Sequence, residues 1–153
     1  MNRLRRFAGL SPAARGVFLY SVVLIVVVSA GIRLCAVATC TRYLAGLARL
    51  TRRVHGQVGA QETARLVYAA GSVVRARCLA RSLVLGHILR ASGASVEMRL
   101  GVSISAAGSL SAHAWIELDE VPMVDQPAAL DRYAPFARIA FRPAHAAASR
   151  GTG

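Results

Sequence analysis

The sequence predicts an α+β fold, helices first and a short antiparallel sheet after them, on three observations. Apolar residues recur at three-and-four spacing as far as Gly93, and beyond it they alternate with polar ones. At 153 residues the chain has room for one core but not two. Apolar residues make up 55% of it, enough to fill that core, so disorder is expected only at the ends. The organisation this suggests is an arginine-rich apolar helical region over 1–60, a core over 61–143 and a flexible tail over 144–153.

Ser11-Pro12 reads as a helix start, with serine as cap and proline in the first turn. From Gly16 to Ile32 no charge interrupts the chain, and Arg15 and Arg33 bound the run. Three readings stand, in this order: a buried core or partner-covering helix, a membrane-associated segment at the lower margin of spanning length, and a cleaved signal. Leu44, Leu47, Leu50 and Val54 fit one helical face. His55 to Gly59 reads as a loop, and Gln61 to Val74 as a helix with Ala64, Val67, Tyr68 and Gly71 at helical spacing. A further helix is predicted from Cys78 to about Ser92, stopped by Gly93. Val96, Met98, Leu100 and Val102 then mark a half-buried strand, Ala112 to Leu118 a second and Val121 to Asp125 a third.

Charge says less than its size suggests. The net +12 is carried by arginine alone, and nine arginines precede the first carboxylate, Glu62. Such a surface suits anionic lipid, an acidic peptide or simple solvation. No zinc-finger spacing or aromatic RNA-binding signature accompanies it, so nucleic acid is not an expected partner. Cys35, Cys40 and Cys78 form no paired spacing, which argues against a disulfide scaffold and suits a cytoplasmic protein. No Cys or His pair has metal-ligand spacing, and neither a metal nor another cofactor is expected. Cys35 and Cys40 read as small buried hydrophobes on an apolar segment.

Cys78 differs. A thiol in the first turn of a helix feels the positive end of the helix dipole, which favours the nucleophilic thiolate. It needs a histidine to carry a proton and a carboxylate to orient that histidine. His87 lies nine positions along the same helix, on the opposite face at about 100° per residue, and reads as a surface or packing residue. His55 falls in a loop and His145 in the tail. His113 sits on a core strand and shares its face with Trp115 and Glu117, so it is the candidate base. For the orienting acid the candidates are Glu117, Asp119, Glu120, Asp125 and Asp131. Glu117 is about 13 Å along the strand, and Asp119 and Glu120 belong to the turn. Asp125 pairs with His113 if the hairpin loop is Leu118-Asp119-Glu120, but falls opposite Ala114 if the loop has two residues.

Taken together, Arg77-Cys78-Leu79-x-Arg81-Ser82-Leu83 in a helix, then Gly101-Val102, Ala112-His113-Ala114-Trp115-Ile116-Glu117 and a trailing Val124-Asp125 closely resemble the B2 proteins of lasso-peptide biosynthesis. Those are leader peptidases of the transglutaminase-like, papain-related superfamily, and the resemblance covers roughly Leu66 to Tyr133. It implies a transglutaminase-like cysteine peptidase core with Cys78 as nucleophile, His113 as general base and Asp125 as orienting acid. It further implies a stand-alone B2 that acts with a separate leader-recognition protein (B1) on a precursor peptide, ahead of an ATP-dependent lasso cyclase. The rival readings are an acyl transferase of the same superfamily and a non-catalytic basic adaptor that contacts the membrane through 16–32.

Overall fold

The computed structural model describes residues 7, 9–55, 58–125 and 127–141. The order of elements is α1 (Pro12–Leu34), α2 (Val37–Gly46), α3 (Ala48–His55), α4 (Ala60–Val73), α5 (Cys78–Ala91), β1 (Val96–Ile104), β2 (Leu110–Leu118), β3 (Val121–Pro122), α6 (Pro127–Leu130) and β4 (Ala134–Phe141). This is the α+β arrangement that the change of period at Gly93 indicates, and Gly93 makes the turn with a φ of 101°. The expected tail with His145, and Gly56 and Gln57 of the expected loop, lie outside the described residues.

Helix α1 begins as its sequence dictates. The Ser11 side chain accepts a hydrogen bond from the Ala14 N–H at 3.1 Å, and Pro12 occupies the first turn, where no donor is needed. One face of α1 (Val17, Ser21, Leu24, Ile25, Val28) is buried, while Leu19, Val23, Val26 and Val27 are each more than half exposed. The helix is therefore a core element on one side and an apolar surface on the other.

The single face expected from Leu44 to Val54 does not form. The helix breaks at Leu47 after the weak helix former Gly46, leaving α2 and α3 as separate pieces. Leu44 is buried, but Leu47 and Leu50 are exposed, and α3 buries Thr51 and His55 instead. These two polar residues go inward because each finds a partner there. Thr51 Oγ1 meets Tyr20 Oη and His87 Nε2, each at 2.7 Å, and His55 Nε2 meets Thr63 Oγ1 at 2.9 Å. His55 thus ends a helix and is not in a loop. Cys40 is buried as expected, whereas Cys35 is exposed, at the C-terminal end of α1.

Helix α5 is the centre of the molecule. It is buried almost all round, which fits its lack of a polar stripe, and it packs on β1, β2 and β4 to one side and α1, α2, α3 and α4 to the other. One continuous core joins Leu24, Ile25 and Val28 of α1 to Leu83, Leu85 and Ile88 of α5 and to Met98 and Ile116 of the sheet.

The sheet is antiparallel, in the order β3-β2-β1-β4. Two of its features depart from the sequence reading. The third strand is only Val121–Pro122, and β1 gains a second neighbour in β4, which the alternation after Gly93 does not announce. Strand β4 is an edge strand with Pro135 near its start and an extra residue, Phe136, bulged where the register shifts opposite Leu100 and Gly101.

Candidate active site

Cys78 is the first residue of α5, half-buried, and the helix start carries no capping side chain. The first-turn N–H groups are therefore not claimed by a cap. One turn on, Ser82 lies on the same helix face as Cys78. Its Oγ donates to the carbonyl of Ala114 at 2.9 Å, deep in the core. That bond clamps the first turns of α5 to β2 at the residue next to His113.

His113 is held on three sides. Its ring stacks on Trp115 (centroids 6.0 Å apart, planes at 17°) and on Tyr133 (5.2 Å, 30°). Across the sheet its register partner is Gly101, and a Cβ there would lie 2.9 Å from Tyr133 Cβ and 3.1 Å from the Trp115 ring. Only a residue without a side chain leaves room for these rings to close around the imidazole. Trp115 is fixed in turn, since its Nε1–H donates to Glu117 at 2.8 Å while Arg99 holds the other oxygen at 2.9 Å. Glu117 is thereby engaged along the strand and does not reach His113.

Asp125 does. Its Oδ2 lies 3.4 Å from His113 Nε2, and that oxygen is buried with no hydrogen-bond partner among the described residues. The route is not the one that sequence register offered. Leu118 pairs with Val121, so the hairpin loop is the two residues Asp119-Glu120, which would set Asp125 opposite Ala114. The last rung is the Met123 N–H to Ile116 carbonyl bond at 3.0 Å, after which the chain leaves the sheet. Asp125 is then free of strand alternation, and the bend delivers its carboxylate to the histidine.

Tyr68, on α4, is the residue that sequence reasoning assigned only to packing. Its hydroxyl lies near Ser82 and within electrostatic range of both Asp125 and Cys78. Burial above all, and then the negative charges of Asp125 and Cys78, push the phenol from 10.0 to about 12, against the pull of Ser82 and Arg81. The hydroxyl therefore stays protonated at any physiological pH. A polar-tipped residue on a predicted core face ten positions before the cysteine was the only signal available.

His87 behaves differently. It is buried beside Thr51, and burial, aided by Arg90, lowers it from 6.5 to about 4, so it is a neutral packing histidine and the surface alternative is excluded. No cluster of three or more His, Cys, Asp or Glu side chains able to hold a metal occurs among the described residues.

A helix that opens with cysteine, packed on an antiparallel sheet whose histidine is met by an aspartate from the segment just past the sheet, is the arrangement of a transglutaminase-like class of protein. A family model described as the transglutaminase-like superfamily matches residues 22–138, and the chain belongs to that superfamily. Neither a search of curated proteins nor one of solved structures returned a match.

Proposed function

We propose that this protein is a cysteine peptidase that removes the leader from a lasso-peptide precursor before the macrolactam ring is closed. The observation that carries this reading is the His113–Asp125 pair at 3.4 Å, with His113 on the sheet against which the helix that opens with Cys78 packs. It draws support from membership of a superfamily that includes cysteine peptidases and acyltransferases.

In the proposed reaction the Cys78 thiolate attacks the carbonyl at the leader–core junction. The negative oxygen that develops is met by first-turn N–H groups of α5, which no side chain caps. His113 protonates the departing amine as the C–N bond breaks and a thioester remains on Cys78. It then takes a proton from water, whose attack releases the leader as a carboxylic acid and restores the thiol. Asp125 keeps the imidazole in one orientation and stabilises its charged form. The expected partners are the precursor, a B1-type leader-recognition protein and the ATP-dependent cyclase that receives the product, in the cytoplasm.

The test is to incubate the protein with a lasso precursor, with and without B1, and read peptide masses. Two fragments whose masses sum to precursor plus one water are expected, and Cys78→Ala should abolish them while leaving the circular dichroism spectrum unchanged. Cleavage by Cys78→Ala would remove this cysteine from the chemistry. A leader mass raised by an added amine would identify an acyl transferase instead, and an inert thiol in a folded protein would favour a non-catalytic adaptor.

A further inference from the structure

The outer face of α1 takes no part in the proposed chemistry. At about 100° per residue, Leu19, Val23, Val26, Val27, Ala30 and Leu34 fall within an arc of about 100°, a straight aliphatic ridge. Exposure of the five large ones runs from 51% for Val26 to 84% for Leu34. An uncovered ridge of this kind on a folded domain calls for an occupant.

Its borders say which. The α2–α3 stretch runs back antiparallel along one edge of the ridge. A Cβ on Gly31 would lie 3.1 Å from Cys40 Sγ, Tyr20 Oη meets Thr51 Oγ1 at 2.7 Å, and a Cβ on Gly16 would lie 3.9 Å from Val54. Since α3 turns Thr51 and His55 inward, Arg49, Arg52 and Arg53 fall on its other sides, and all three are exposed. Arg42 on α2 is exposed too, and Arg33 marks the opposite edge of the ridge. No carboxylate precedes Glu62, so nothing in this region of the chain neutralises these guanidinium groups.

We propose that the outer face of α1, with the arginines of α2 and α3 beside it, is a docking surface for an anionic lipid bilayer, on which α1 lies in the plane of the headgroups. A row of exposed leucine and valine side chains suits insertion to a shallow depth between acyl chains. The arginines beside it reach anionic headgroups. The helix does not cross the bilayer, although 23 residues would be long enough, because its inner face supplies Leu24, Ile25 and Val28 to the core shared with α5 and the sheet. Docked in this way, the protein would work at the membrane surface on a peptide drawn from solution.

The experiment is co-sedimentation of the full chain with phosphatidylcholine vesicles and with vesicles containing one-third phosphatidylglycerol. Binding is expected to the anionic vesicles only, to fall steeply between 50 mM and 500 mM salt, and to be released by an alkaline carbonate wash. Arg49→Gln/Arg52→Gln/Arg53→Gln should weaken it about a hundredfold at low salt, a factor of about five per arginine. Val23→Asp/Val27→Asp should weaken it at least about tenfold, with peptide cleavage in solution unchanged for both variants. The arginine variant alters only exposed side chains, so it remains informative if the aspartate variant fails to fold. Binding to neither vesicle, equal binding to both, or retention after the carbonate wash would overturn the proposal. So would a dimer in solution that Val23→Asp/Val27→Asp turns into a monomer without affecting vesicle binding.

Discussion

Two polar pockets lie along α5, and they differ in how completely their groups are satisfied. In the middle of the helix, His87 and Tyr20 both bond Thr51, whose own hydroxyl goes to the Leu47 carbonyl, with Thr51 and His87 buried. Each donor has an acceptor, and the cluster ties α1, α3 and α5 together. At the start of the helix, Cys78 and His113 are only half-buried, the helix end has no cap, and Asp125 keeps a buried oxygen with no hydrogen bond among the described residues. A saturated cluster fixes the fold. Groups held in place but left with capacity to spare can exchange protons with a substrate.

The largest effect should come from emptying that spare capacity. Asp125→Asn keeps the size of the side chain but removes the charge facing His113 Nε2 at 3.4 Å. The proposed cleavage should fall about 10²–10⁴-fold, the range of a general acid–base contribution, with little change in thermal midpoint. His87→Gln should do the reverse, lowering the midpoint and sparing turnover. Rates and melting curves of the two variants measure this directly, and equal rate losses would erase the distinction between the pockets.

The saturated pocket has a pH signature of its own. His87 is depressed to about 4 in the folded protein from about 6.5, so between these values the unfolded chain binds more protons than the folded one. Its contribution to stability is constant above about pH 6.5 and is lost as pH falls towards 4, by at most about 3 kcal/mol. Urea unfolding at pH 7, 5.5 and 4.5 should show the loss in the wild type, and His87→Gln should be flatter over the same interval. Parallel curves for the two proteins would mean that His87 is already charged in the fold.

These pockets were not equally legible in the sequence. The open one was, because Arg77 to Leu83 and Ala112 to Glu117 are local runs whose period puts a thiol at a helix start and a histidine on an inward strand face. The placement of Asp125 was not. Asp119 and Glu120 adopt φ of 51° and 65°, a two-residue turn normally signalled by Asn-Gly, and no glycine marks it here. The closed pocket was invisible because Thr51 and His87 are polar residues on core faces, justified only by partners 31 and 36 positions away. Strand β4 was missed for a related reason. Its Pro135 and bulged Phe136 break the alternation, and only the long-range ladder to β1 makes it a strand.

Tyr68 tests the boundary between the two pockets, since its hydroxyl lies near Ser82 and within electrostatic range of Asp125 and Cys78. Tyr68→Phe removes the hydroxyl near Ser82 but keeps the ring against the core. A loss no larger than that of one polar contact, about 0.5–1.5 kcal/mol, is expected, so cleavage should fall by no more than about tenfold, well short of Asp125→Asn. The phenol is raised from 10.0 to about 12, so the folded protein holds its proton longer than the unfolded chain does. Wild-type stability should therefore decline as pH rises from about 10 through 12, and the phenylalanine variant should lack that share of the decline. An unchanged rate together with an unchanged alkaline limb would confine Tyr68 to packing. A rate loss equal to that of Asp125→Asn would place its hydroxyl among the reacting groups, where it would donate to the oxygen that becomes negative when Cys78 attacks.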